Sequence, residues 1–309
     1  MKMIVTGASG QYGRAAVQGI LAHAPPEDIM ATTRTPDRLA DLAELGVVVR
    51  KGDFDDPLAL TRAFEGAEKL LMVSTGRVGR RLPQHRNAVQ AAAAAGVRHI
   101  VYTSFIGAGG GSPALVVKEH GETEALLRQS GMIWTALRDS QYTEAMAEAA
   151  APLAITNGRW ISCTGDGKVG FVTRSDCVAS AVAVMTTAGH RNTVYNITGP
   201  ELLSFRDVAA IASAVSGRPI QYLDVDDETL YRHFDALGVP REALDDHTVN
   251  GFPWSSNDMV SFEQGIRGGF LAVLSEDVER LTGRAPRSLS SYFREQQDAL
   301  RSIVRVGVQ

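Results

Sequence analysis

Cysteine is scarce in this chain: 309 residues contain only Cys163 and Cys177. Neither lies in a CxxC spacing or beside paired histidines, so neither a disulfide framework nor a structural zinc site is expected. The seven histidines show no HExxH or comparable ligand spacing, and no metal is expected. Neither sign of charge dominates: 31 Lys and Arg against 35 Asp and Glu leave a formal net charge of −4. That balance provides no global basic field for a phosphate backbone, so nucleic acid is not an expected partner. No long apolar stretch, charged leader or cleavage site precedes the first β-like segment, so neither secretion nor membrane spanning is expected. With unpaired cysteines, the expected setting is reducing and cytoplasmic. Internal repeats and low-complexity linkers are missing too, so any domain boundary is a spatial one rather than a flexible tether.

The residues present describe an α/β protein. The hydrophobic fraction, 44%, is ample for a continuous core. β-branched runs alternate with amphipathic stretches, as when crossover helices join parallel strands. Strands are predicted near Met3 to Thr6, Ile29 to Thr33, Val47 to Arg50, Leu70 to Val73, His99 to Thr103 and Ile133 to Leu137. Pro36 and Pro57 stand where helices open, and Gly46, Gly96 and Gly131 where they stop. The alanine-rich stretch Gln84 to Ala95 reads as a helix with no chemistry of its own. After about Pro152 the alternation breaks. The pattern therefore predicts a doubly wound Rossmann sheet over residues 1–152 and a smaller α/β substrate lobe over 153–309, some of it returning to the sheet.

The loop Gly7-Ala8-Ser9-Gly10-Gln11-Tyr12-Gly13 lies between the first strand and an amphipathic helix. There, glycines let backbone amides approach a pyrophosphate at a helix N-terminus. Its spacing is GxxGxxG, and the βαβ context around it makes dinucleotide binding the expected role. The second strand ends in Thr32-Thr33-Arg34-Thr35-Pro36, without the acid that would receive the free ribose hydroxyls of NAD. Arg34 instead suits a 2′-phosphate, so NADP(H) is the expected cofactor, in preference to NAD(H). Asp53 and Phe54, past the third strand, and Ser74, closing the fourth, are expected to face adenine and ribose.

These residues resemble the NmrA-like, atypical short-chain dehydrogenase/reductases, especially the zinc-independent NAD(P)H:quinone oxidoreductases and triphenylmethane dye reductases. The resemblance continues through Gly52-Asp53-Phe54, Gly96 to Ser104, His120-Gly121-Glu122-Thr123-Glu124 and Thr135 to Glu144. It is weaker over Asn192 to Gly199 and Ser275 to Leu289. Asp139 departs from the asparagine usual after the Leu-Arg pair. Aligned on Glu124, the position of the usual catalytic lysine falls on His120 and that of the tyrosine on Val116. The usual proton donor is therefore absent. Lys118, two residues from His120 and about 200° around a helix, reads as a surface charge.

The resemblance implies an NADPH-dependent reductase that delivers hydride to a quinone-like or conjugated aromatic small molecule. An acceptor of this kind needs less acid assistance than a carbonyl does. His120, with an ordinary pKa of about 6.5, is the candidate proton donor; the alternatives are a partly exposed structural histidine or a ribose contact. Ser104, Phe105 and Tyr142 are expected pocket walls, while Phe252, Trp254 and Phe262 read as core aromatics more readily than as a substrate cover. A non-catalytic NmrA-type redox sensor and a lignan- or isoflavonoid-type reductase remain alternatives. A homodimer is left open.

Overall fold

In the computed structural model, which describes residues 1–243 and 255–306, the chain begins with the buried strand β1 (Met3–Val5) and the helix α1 (Gln11–Ile20). There follow β2 (Ile29–Thr33), α2 (Ala40–Glu44), β3 (Val48–Lys51), α3 (Pro57–Phe64), β4 (Lys69–Met72), α4 (Arg81–Ala94), β5 (His99–Phe105), α5 (Leu115–Gln129) and β6 (Ile133–Asp139). Each predicted strand is present, with ends displaced by two residues at most. A short helix α6 (Thr143–Ala145) runs through a π-helical turn into α7 (Ala151–Asn157). Next come β7 (Arg159–Ser162), β8 (Lys168–Val169), α8 (Arg174–Thr186), β9 (Thr193–Ile197), β10 (Leu203–Ser204), α9 (Phe205–Ser216) and β11 (Gln221–Asp224). Helices α10 (Asp227–Ala236), α11 (Ser256–Arg267), α12 (Asp277–Thr282), α13 (Leu289–Glu295) and α14 (Gln297–Val306) complete the described chain.

Seven strands form one sheet in the order β3-β2-β1-β4-β5-β6-β9. β1 pairs in parallel with β2 on one side and β4 on the other, so the winding reverses between β1 and β4. A reversal of this kind leaves a crevice at the carboxyl ends of the strands. β1, β2 and β4 are buried along their whole length, as parallel strands covered on both faces must be. One core cluster sets Ile4, Met30, Leu70, Met72, Ile100 and Tyr102 from the sheet against Leu60, Phe64, Ala88 and Ala92 from α3 and α4. The alanines of α4 thus form a thin apolar stripe at helical spacing.

By internal contacts the chain divides into two units. The first comprises Met1–Gly109, Glu119–Arg138 and Cys177–Tyr195; the second comprises Gly110–Lys118, Asp139–Asp176 and Asn196–Gln309. The chain thus enters the second unit briefly over Gly110–Lys118, leaves the first again after Arg138 at the end of β6, and returns at Cys177 in α8. Residues on α1 explain the return. Tyr12 Oη donates to the Cys177 carbonyl at 3.1 Å, and Gly19 lies so close to α8 that an added Cβ would meet Val182 Cγ2 at 2.6 Å. Lys69, at the start of β4, donates its ammonium to the Val184 carbonyl at the end of α8.

The second unit has two small sheets, β8 with β10 antiparallel and β7 with β11 parallel. Its α9 opens with a reciprocal capping box between Ser204 and Asp207 and closes at Gly217, φ 74°, as expected of helix ends. Phe262 is buried in α11, which agrees with the core expectation for that aromatic; Phe252 and Trp254 lie outside the described residues. Buried Glu263 accepts from Ser162 Oγ at 2.9 Å and from the Cys163 amide at 2.6 Å, and burial pushes its carboxyl up to about 7.

Candidate active site

The glycine loop is shaped for close approach. Gly7 has φ +61°, which a side chain would strain, and a Cβ on Gly13 would lie 2.5 Å from the Gly7 carbonyl oxygen. Two bonds bind the loop to the end of β2: the Ala8 amide donates to the Thr32 carbonyl at 3.0 Å, and Thr33 Oγ1 donates to Ser9 Oγ at 2.8 Å. The first helical bond of α1 runs from the Arg14 amide to the Gly10 carbonyl, so the N–H groups of Gln11, Tyr12 and Gly13 precede it. Gly10 and Gln11 are exposed. The helix has no capping side chain and no acid in its first turn. A glycine cradle at the positive end of a helix fits a dinucleotide pyrophosphate.

Arg34 is exposed directly after β2. Asp53 is partly buried and its Oδ1 accepts from the Asp55 amide at 3.1 Å, while Phe54 packs on the core and its carbonyl accepts from Asn87. The Ser74 amide donates to Thr103 Oγ1 at 2.8 Å, joining the ends of β4 and β5. Tyr12 is the exception among the expected cofactor residues: its ring is buried and its hydroxyl is committed to the Cys177 carbonyl.

The chemistry end differs more from expectation. His120 is buried, at 3% exposure, so the partly exposed histidine read from the sequence is corrected. Its Nε2 lies 2.6 Å from Arg81 Nη1 and its Nδ1 lies 2.7 Å from Tyr102 Oη. A guanidinium can only donate, so Nε2 accepts and the ring proton sits on Nδ1. Burial, then the Arg81 charge, then His85, hold the imidazole well below its usual range. Burial and the neighbouring guanidinium therefore disfavour the charged imidazolium that a donor near neutrality would use. Lys118 is exposed, as a surface charge should be.

Around His120 lies a buried polar chain that sequence reasoning missed. The Thr75 amide donates to His85 Nε2 at 3.1 Å, leaving the His85 proton on Nδ1, 2.9 Å from Thr123 Oγ1. Tyr102 Oη also lies 3.3 Å from His85 Nδ1, and the Thr123 hydroxyl donates to the Glu119 carbonyl at 2.8 Å. Burial pushes the Tyr102 phenol up and holds His85 down at about 3. The available signal was spacing: Arg81, Gln84, His85, Ala88 and Ala92 share the buried face of α4. That helix starts three residues before its predicted start because Glu119 caps it from α5, accepting from the Gly79 amide at 3.0 Å and the Arg81 amide at 3.3 Å.

Ser104 is buried and its hydroxyl donates to Glu124 at 2.7 Å, so it holds the strand end rather than offering a free hydroxyl. The Glu124 carboxylate also takes a two-pronged bond from Arg138 at 2.8 and 2.7 Å and one from Arg128 at 2.8 Å. Phe105 is partly exposed, with its ring 5.9 Å from that of His120. Gly121 is required for packing, since a Cβ there would stand 2.7 Å from the Gly109 amide nitrogen. In the second unit Tyr142 donates to Asp139 Oδ2 at 2.9 Å, and the Arg174 guanidinium lies 5.5 Å from its ring centre.

Comparison with known proteins agrees with the sequence resemblance. A family model described as NAD(P)H-binding matches residues 7–186. Quinone oxidoreductase 2 of Escherichia coli (strain K12) is 39% identical over 236 residues, 76% of this chain and 82% of that protein. The crystal structure of the NADPH-dependent quinone oxidoreductase QOR2 from Escherichia coli complexed with NADPH superposes with a TM-score of 0.86 at 34% identity, over 95% of this chain and 99% of that one. The triphenylmethane reductase of Citrobacter sp. gives a TM-score of 0.83 at 29% identity, over 96% of this chain and 100% of that one. The glycine cradle, the reversal of the sheet beside it and these matches together show that the chain belongs to the NAD(P)H-binding family of Rossmann-fold proteins.

Proposed function

We propose that this protein is an NADPH-dependent oxidoreductase that reduces quinones or related conjugated aromatic small molecules. The observation that carries the reading is the exposed, uncapped N-terminus of α1 behind the Gly7–Gly13 cradle, with Arg34 exposed at the neighbouring strand end. Gly7, Ser9, Gly10, Gln11, Gly13 and the Tyr12 amide hold the pyrophosphate. Arg34 takes the 2′-phosphate and sets the preference over NADH, while Asp53, Phe54 and Ser74 flank the adenosine half. The bound dinucleotide supplies a hydride; the protein orients it and excludes water.

The chemistry of the site favours an electron-poor conjugated acceptor. Reversible alcohol oxidation calls for an accessible acid and base at the reacting oxygen. Here the tyrosine position is Val116, and both Tyr102 and His120 are buried and committed to each other. A conjugated acceptor spreads the incoming charge and tolerates that lack. The relatives named for quinones and triphenylmethane dyes support the same substrate class.

Stopped-flow mixing of the NADPH complex with a panel of quinones, cationic dyes, lignans and aldehydes tests the proposal. Quinones and dyes should oxidise the bound cofactor and aldehydes should not. If no acceptor consumes NADPH above background although the protein binds it, the chain is a redox sensor instead.

A further inference from the structure

Arg81 is buried, at 4% exposure, and two consecutive residues of α5 hold it. Its Nη1 lies 2.6 Å from His120 Nε2, and its Nε pairs with Glu119 Oε2 at 3.3 Å. Glu119 in turn accepts from the amides of Gly79 and Arg81, so the guanidinium is anchored through both backbone and side chain. A cation so placed leaves the imidazole one arrangement: acceptor at Nε2, donor at Nδ1 to Tyr102. The reverse tautomer would set an N–H against a guanidinium N–H in a buried site, where an unmet donor costs roughly 1–3 kcal/mol. Beside Tyr102, His85 Nδ1 donates to Thr123 Oγ1, whose hydroxyl donates to the Glu119 carbonyl. The ring protons of His120 and His85 and the Thr123 hydroxyl proton each already serve a neighbouring acceptor.

We propose that Arg81 is a positioning residue of the reductase site: held by Glu119, it fixes His120 as a donor at Nδ1 and an acceptor at Nε2, so that the proton completing the reduction comes from water rather than from the imidazole. The inference rests on the reductase reading above. For a quinone, hydride addition forms one new bond to hydrogen and leaves negative charge on the acceptor oxygen. That oxygen then takes a proton from water, and the hydroxide left behind is neutralised by buffer. For a cationic triphenylmethane dye, hydride addition to the central carbon itself discharges the cation, and no proton is needed.

The two acceptors therefore separate the two roles of His120. In His120→Gln, a lost acid would slow quinone reduction by about a hundred- to ten-thousandfold and leave dye reduction nearly unchanged. Under the proposal both rates change by the same factor, and their ratio stays within about twofold of the unmodified enzyme's. A selective loss on quinone overturns the proposal.

The second arm reads Arg81 without turnover. A ¹⁵N long-range correlation spectrum of the unmodified full chain should show His120 with a proton on Nδ1 and none on Nε2 from pH 5 to 9. Arg81→Leu should populate the Nε2–H form, and Arg81→Lys, which keeps a donor, should restore the original pattern. A protonated Nε2 in the unmodified protein, or an unaltered tautomer in folded Arg81→Leu, refutes the positioning role. If Arg81→Leu does not fold, the spectrum of the unmodified protein decides alone. Failure of the reductase reading is distinct: neither acceptor would react with the unmodified enzyme, whatever the tautomer.

Discussion

Gly13→Ala is the most exacting test of the cofactor cradle. The added methyl would stand 2.5 Å from the Gly7 carbonyl oxygen, 2.8 Å from its carbon and 2.9 Å from Ala8 Cα, all backbone atoms. The loop has little room to yield, because Gly7 is left-handed at φ +61° and the Ala8 amide is bonded to Thr32. The first turn of α1 must therefore move by roughly an ångström, and forced overpacking of this kind costs about 1–3 kcal/mol. Replacing a helical glycine returns about 0.8–1 kcal/mol, so a net loss of up to about 2 kcal/mol is expected in urea unfolding. The displaced amides should also weaken NADPH by about ten- to a hundredfold, the equivalent of one charge-assisted hydrogen bond at about 1.5–3 kcal/mol. Gly10→Ala is the control: its Cβ would meet only the Gly7 oxygen, at 3.3 Å, and its extended φ −84°, ψ 166° suits alanine. It should fold with less than about 1 kcal/mol of loss. Urea midpoints followed by circular dichroism, with calorimetric titration of NADPH, measure both effects. A Gly13→Ala protein with unchanged midpoint and affinity would falsify the close-approach argument.

Arg34→Ala should raise the NADPH dissociation constant by about ten- to a hundredfold and leave NADH nearly untouched; equal losses for both cofactors would remove Arg34 from the 2′-phosphate. Glu263 binds its proton more tightly folded than unfolded, with a carboxyl at about 7 against an ordinary 4.5. Stability should therefore fall by about 2–4 kcal/mol as pH rises through that window and stay low above it. Glu263→Gln should flatten this dependence in urea titrations across pH 4.5 to 8, and an unchanged slope would assign it to another group. Glu124→Ala strands the mostly buried Arg138 and the Ser104 hydroxyl. It should cost about 3 kcal/mol, seen as an earlier urea midpoint; a loss under about 1 kcal/mol would mean that the guanidinium finds water.

Much of the fold was legible because its signals are local. Buried parallel strands need β-branched runs, and β2 falls on the residues such a run marks, Ile29–Thr33. The glycine cradle reads from spacing because left-handed φ and close backbone approach are demands on single residues. The proposed 2′-phosphate role of Arg34 rests on the absence of an acid at one strand end. The division of the chain was less legible: α8 belongs with the sheet through the Tyr12 bond and the Gly19 contact, pairings across more than 160 residues that leave no local mark.

The sequence by itself determined the Rossmann architecture, the place of the glycine loop and the residue type at the second strand end. Only the tertiary structure decided the state of His120. A histidine's charge and tautomer depend on which donors and acceptors surround it and on how much water reaches it. Those neighbours, Arg81 from α4 and Tyr102 from β5, come from other elements and meet it only when the sheet and helices pack. The same packing turned the alanine helix, silent as a sequence, into the carrier of Arg81 and His85.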